Sequence, residues 1–249
     1  MENDSKILGK IKLVMIILVC ILAALVIAGI MYVRDYYPAE DMVLAAMASD
    51  SGATVEQISD KTMVFLPAEG DPVAGLIFYP GGKVEYTAYA PLLHALAQQG
   101  VLCVLVEMPF NLAVLDVDAA EGIQEKFPEI QDWYIGGHSL GGSMAASYVA
   151  EHQKEYRGLV LLAAYSTEDL SGSGLKVVSI YGSKDEVMNM KKYQDNRSNL
   201  PGDTREYVIE GGCHAQFGCY GVQEGDGIPA LSGEEQRSST VRFIVDSIK

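Results

Sequence analysis

Three regimes of apolar and polar positions follow one another along the chain. From Leu13 to Val33 there are 21 residues without a charge, and Gly29 alone stands outside the apolar set. A helix rises 1.5 Å per residue, so such a run reaches about 30 Å, the hydrocarbon thickness of a bilayer. The pattern predicts a membrane-spanning helix over 13–33, preceded by a short cytoplasmic segment over 1–12. Residues 34–60 read as a stalk or an extra leading helix, with Met42, Val43, Ala46 and Met47 on one side and Ser49-Asp50-Ser51-Gly52 as its end. From about Lys61 to the C-terminus, short apolar runs alternate with amphipathic stretches. Strands are expected at 63–66, 73–79, 101–106, 133–137, 159–163, 177–181 and 206–209. Helices are expected at 86–99, 118–127, 140–153, 187–197 and 234–248. Continuous apolar strands alternating with helices predict a parallel sheet covered on both faces, one α/β domain over 61–249.

Charge sharpens this picture. The chain has 249 residues, 49% hydrophobic and 20% charged, with a net charge of −15. Its mean hydropathy of +0.13 owes its excess to the N-terminal run. Residues 1–33 hold three lysines against Glu2 and Asp4, whereas the remainder holds 15 basic and 31 acidic residues. Nucleic acid is excluded as a partner, because phosphate binding needs clustered Lys and Arg. Lys6, Lys10 and Lys12 precede the apolar run, and after it Arg34 is the only basic residue before Lys61. Positive charge stays on the cytoplasmic side, so the chain is expected to run N-in with residues 34–249 outside. A cleaved signal peptide, cut after Val26-Ile27-Ala28, is the other reading; the domain is then secreted rather than tethered. An acidic domain is repelled by anionic headgroups, so the helix and not the domain surface makes the membrane contact.

The chemistry concentrates in Gly136-Gly137-His138-Ser139-Leu140-Gly141-Gly142. An apolar strand leads into Gly137-x-Ser139-x-Gly141 and an Ala-rich helix leads out, the context of a nucleophile elbow. A sharp strand-to-helix turn forces Ser139 into strained backbone angles, and its neighbours must lack side chains for the turn to close. The Leu140 N–H, at a helix N-terminus, then points where an oxyanion develops. A serine needs a base and an orienting acid, which in this architecture follow in the order acid, then histidine. Asp185 follows the strand at 177–181, with Glu186 as the fallback acid, and His214 follows the strand at 206–209. Both therefore lie at carboxyl ends of strands, where ligands of open α/β sheets gather. The second oxyanion donor is expected from Tyr79-Pro80-Gly81-Gly82-Lys83, through the N–H of Gly82 or Lys83.

With these motifs the sequence resembles the α/β-hydrolase family over about 63–249, and most the compact branch related to dienelactone-hydrolase-type enzymes. Pro-Gly-Gly-Lys stands in place of the common His-Gly oxyanion motif, and Ser139 in place of the cysteine nucleophile of dienelactone hydrolases proper. The resemblance implies about eight mostly parallel strands and hydrolysis through an acyl-enzyme. About a dozen residues separate the strands at 159–163 and 177–181, where lids are often inserted, so an open site for small or surface-presented esters is expected. A cell-surface amidase or peptidase using the same triad, and a non-catalytic binding module, are the alternatives.

The remaining reactive residues are read as structural. His94 and His152 have surface or packing positions, and His138 supports the turn. Cys103 is expected as a buried thiol, Cys20 lies in the apolar run, and Cys213 and Cys219 are either bridged or free. The Gly-rich loop 217–227 either walls the substrate pocket or wraps the surface. Zinc spacing is absent, and neither a metal nor a cofactor is implied. The sequence assigns no oligomeric state.

Overall fold

The computed structural model describes residues 2–248, with side chains from residue 9 onward. The side chains of Glu2, Asp4, Lys6 and Lys249, counted among the charges above, lie outside the described residues. Two compact units divide the chain, one ending at Tyr36 and one beginning at Tyr37. The first is helix α1 (Glu2–Arg34), with Arg34 in its last turn, where a cation meets the unpaired carbonyls of the helix end. Its Gly9–Arg34 portion, which contains an 18-residue stretch of mean hydropathy 3.3, is long and apolar enough to cross a membrane.

The second unit runs α2 (Val43–Ala46), β1 (Ala53–Ser59), β2 (Thr62–Pro67), β3 (Ala74–Tyr79), α3 (Ala90–Ala97), β4 (Val101–Val106), β5 (Trp133–His138), α4 (Leu140–Glu151), β6 (Gly158–Leu162), β7 (Lys176–Gly182), α5 (Met190–Asp195), β8 (Arg205–Ile209) and α6 (Gly233–Ile248). Its strands form one eight-stranded sheet in the order β1-β2-β4-β3-β5-β6-β7-β8. β2 lies antiparallel to β1 and β4, and from β4 to β8 every pairing is parallel.

The uninterrupted apolar runs follow from burial on both faces. Leu76, Phe78, Cys103 and Leu105 share a core with Leu92, Leu93 and Leu96 of α3 and Ile244 and Ile248 of α6. The alternate residues Ile77, Tyr79, Leu102 and Val104 share the opposite core with Ala145, Ala146 and Val149 of α4. Parallel strands all present their carboxyl ends at one rim, and that is where the loops carrying Gly82, Ser139, Asp185 and His214 emerge.

Three expected elements differ. Residues 37–60 belong to the folded unit instead of forming a stalk. Tyr37 bridges to Val84, the Ala39 N–H donates to Glu85 Oε2 at 3.0 Å and the Glu40 N–H to the Cys219 carbonyl at 2.9 Å. These bonds hold residues 37–40 to the folded unit, and the helical part of 39–48 is the single turn α2. The strand β1 was not expected; beyond Ala53 its residues are half-buried or exposed, as on an edge strand, and too polar to show as an apolar run. Residues 118–127 form turns and a 3-10 segment at Gln124–Lys126. Gly122 adopts φ +70°, and the Tyr79 hydroxyl donates to the Val117 carbonyl and accepts from the Ala120 N–H, replacing helical bonds.

Asp50 secures the start of the folded unit. Its Oδ1 accepts from the Gly52 and Ala53 N–H groups at 2.7 and 2.8 Å, and its Oδ2 lies 3.1 Å from His94 Nε2. These backbone bonds first, and His94 next, lower its pKa from 3.8 to about 2. The depressed value means the stabilisation is complete above the ordinary carboxylate pKa and is lost as pH falls toward the folded-state value. Thermal melts in that acidic window are expected to fall less steeply for Asp50→Asn than for the wild type, with the variant already weakened at neutral pH.

Candidate active site

The β5–α4 turn closes because two glycines let backbones touch. A Cβ on Gly137 would sit 2.5 Å from the Tyr79 carbonyl oxygen, and one on Gly141 would collide with the carbonyls of Tyr79 and Pro80. Neither glycine has a positive φ; close approach, not backbone freedom, requires them. The strain falls on Ser139, at φ 53° and ψ −122°, with its N–H donating to the Leu162 carbonyl at 2.9 Å. The Ser139 side chain is half-buried at the rim, and its hydroxyl has no hydrogen-bond partner among the described residues.

Asp185 and His214 meet two strands away. Asp185 Oδ2 lies 2.8 Å from His214 Nδ1, with the two side chains 0% and 1% exposed. The other oxygen, Oδ1, accepts from the N–H groups of Val187 and Met188 at 2.9 and 2.8 Å. Asp185 therefore caps the turn before α5 and orients the histidine with the same carboxylate. The two loops are also tied through their backbones: the Lys184 N–H donates to the Gly212 carbonyl and the Gly211 N–H to Ser183 Oγ, each at 2.8 Å. Glu186, the fallback acid, is exposed and makes no bond to His214.

On the other side of Ser139, the loop after β3 separates the two candidate oxyanion donors. The Lys83 N–H is used, donating to the Asn111 carbonyl at 2.7 Å. Neither the Gly82 N–H nor the Leu140 N–H, at the first position of α4 where no intrahelical acceptor exists, meets an acceptor among the described residues. Gly82 packs on Leu140, since a Cβ there would lie 2.9 Å from the Leu140 Cδ2. Beneath, the Tyr89 hydroxyl accepts from the Gly81 N–H at 3.0 Å and so donates its one proton to His138 Nδ1 at 2.8 Å. His138 is then neutral with its proton on Nε2, a buried nitrogen without a partner among the described residues. Burial, and secondly the charge on neighbouring His214, lower its pKa well below the usual value. The His138 and His214 rings lie 4.5 Å apart between centroids.

The same rim carries a serine on a strained strand-end elbow and a buried His–Asp pair. The family model described as the alpha/beta hydrolase family matches residues 75–238, more than half of the chain. The chain belongs to the alpha/beta hydrolase family. Solved structures share the fold of this alpha/beta hydrolase. A CIB-like hydrolase from Thermoplasma acidophilum is 18% identical with a TM-score of 0.55, over 78% of this chain and 98% of its own. Est1E from Butyrivibrio proteoclasticus is 14% identical with a TM-score of 0.55, over 80% and 99%. A protein from Thermus thermophilus is 15% identical with a TM-score of 0.58, over 79% and 98%. No match was found among the curated proteins.

The other candidates of this alpha/beta hydrolase lie away from Ser139. His94 bonds to the Ala46 carbonyl and to Asp50, and His152 stacks on Tyr148. Cys103, Cys213 and Cys219 are buried free thiols, so no bridge closes the 213–219 segment. Among the described residues, no group of three or more His, Cys, Asp or Glu side chains converges as metal ligands do. The 217–227 loop lines a cavity of about 420 Å³ with Cys213, Gln216 and Arg237, and Ser139 is not among its walls. Two residues that hold the site were not singled out from the sequence: Tyr89, spaced as an ordinary core residue of a helix, and Asp226, in the glycine-rich loop. Tyr89→Phe leaves the Gly81 N–H and His138 Nδ1 buried without partners. A loss of about 1–3 kcal/mol per group is expected, read as a lower Tm.

Proposed function

We propose that this chain is a serine hydrolase that cleaves carboxylic esters through an acyl-enzyme, with Ser139 as nucleophile, His214 as general base and Asp185 as its orienting acid. The observation that carries this reading is the fully buried Asp185–His214 pair, whose Nδ1 contact leaves Nε2 as the nitrogen free to take the serine proton. As His214 accepts that proton, Ser139 Oγ bonds to the ester carbonyl carbon, and the developing oxyanion is met by the N–H groups of Leu140 and Gly82. His214 returns the proton to the departing alcohol, and the same sequence with water releases the acid. Lys83 shapes the loop instead of donating, because its N–H is already spent on Asn111.

An acyl group entering here passes exposed apolar side chains. Phe110 is 63% exposed, and Val114 and Leu115 are also exposed, on the segment after β4 that bonds to Lys83. Phe110 and Asn111 both hold positive φ, 54° and 57°, a conformation that costs a bulky residue about 1–3 kcal/mol. Residues 163–175, between β6 and β7, are short and pinned, with Ser143 Oγ donating to the Tyr165 carbonyl, which supports an open, lidless site for small or surface-presented esters. In this reading α1 is an uncleaved anchor with its N-terminus cytoplasmic and the catalytic unit outside; cleavage of α1 leaves a secreted enzyme.

A serine-directed fluorophosphonate tests the assignment: labelling of folded protein is expected at Ser139, and Ser139→Ala is expected to lose both labelling and hydrolysis of short p-nitrophenyl esters. Unlabelled wild-type protein, or a Ser139→Ala variant with unchanged turnover, overturns it. Peptide p-nitroanilides assayed in parallel are expected to turn over far more slowly than esters. Phe110→Asn keeps a residue tolerant of the left-handed region and removes the ring. It is expected to lower kcat/KM for octanoate about 10-fold, with acetate nearly unchanged, the size of one lost apolar contact.

A further inference from the structure

The base His214 sits at the head of a loop whose backbone is held from two directions. Gln236 of α6, 0% exposed, accepts from the Cys213 N–H at 2.9 Å and donates to the Cys213 carbonyl at 2.7 Å. On the other side, Asp226 Oδ1 accepts from the His214 N–H at 3.1 Å and Oδ2 from the Ala215 N–H at 2.8 Å. Oδ1 also accepts from the Gly227 N–H at 2.8 Å, so both oxygens act only as acceptors, the pattern of an ionised carboxylate. Gly227 in turn rests against the acid loop, for a Cβ there would collide with the Lys184 carbonyl.

From this geometry we infer that Asp226 is a positioning residue for the reaction: the 217–227 loop returns to the site to fix the backbone of the catalytic base. The inference rests on the triad reading above. Two peptide N–H groups fixed by one bidentate carboxylate define the direction in which the His214 Cα–Cβ bond leaves the loop. Gly227 against Lys184 sets that direction relative to Asp185. A glycine is required at 227 by contact, and a carboxylate at 226 by the pair of donors.

The test compares wild type, Asp226→Asn and Asp226→Ser on one short p-nitrophenyl ester, in the full chain, with active sites counted by fluorophosphonate labelling. Circular dichroism establishes which variants fold; Asp226→Ser admits water to the two freed N–H groups should the isosteric amide disrupt the loop. The expected result is a fall in kcat per labelled site of about 10- to 100-fold, the scale of a catalytic group displaced by up to 1 Å. KM should stay within about twofold. A purely structural aspartate would instead reduce Tm and the number of labelled sites. Turnover per remaining site at the wild-type level overturns the inference. A wild-type protein that neither labels nor hydrolyses the ester identifies a failure of the triad reading instead.

Discussion

The end of β3 and the β5–α4 turn lie so close that no side chain fits between them. Gly137 and Gly141 place the elbow backbone against the carbonyls of Tyr79 and Pro80. Because the chain must reverse from strand to helix within that space, Ser139, at the middle of the turn, takes the strained φ of 53°. The same closeness sets Leu140, at the first turn of α4, against Gly82. A wider turn would relieve the serine and separate Leu140 from Gly82.

Among the described residues, strain of this kind is confined to the rim. The non-glycine residues there with positive φ are Lys83, Phe110, Asn111, Ser139 and Ala163, and they follow β3, β4, β5 and β6, four neighbouring strands. For a residue other than asparagine the conformation costs about 1–3 kcal/mol and survives only where surrounding bonds over-determine it. Here those bonds are explicit: the Asn111 carbonyl accepts from Lys83, and the Ser139 N–H from its own strained residue reaches Leu162. The central strands, buried on both faces, supply the stability against which the rim is held.

The central strands were legible because burial on two faces leaves a signature that needs no partner information, a short run of apolar residues without a charge. The elbow and the strand-end placement of Asp185 and His214 were legible for the same reason, being local to strand ends. What was not legible depended on distant groups. Residues 39–48 have helical composition, yet Glu85 and Cys219 draw Ala39 and Glu40 onto the fold, and Tyr79 does the same to residues 117–120. Between Gly82 and Lys83 the sequence offered no choice, since the Lys83 N–H is taken by a carbonyl 28 positions away at Asn111. One oxygen of Asp185 caps the turn before α5 while the other meets His214 Nδ1, two contacts made by one side chain.

The rim thus consists of two separately braced halves. Gly81, Tyr89 and His138 tie the loop after β3 to the strand that bears Ser139, while Ser183 and Lys184 tie the Asp185 loop to the His214 loop, which Asp226 and Gln236 brace from two further directions. Where the halves meet, the His138 ring packs on His214, with Phe217 5.5 Å from His138. Burial and the Tyr89 proton keep His138 neutral beside His214. The joint between the halves is therefore apolar in character although it is built from two histidines.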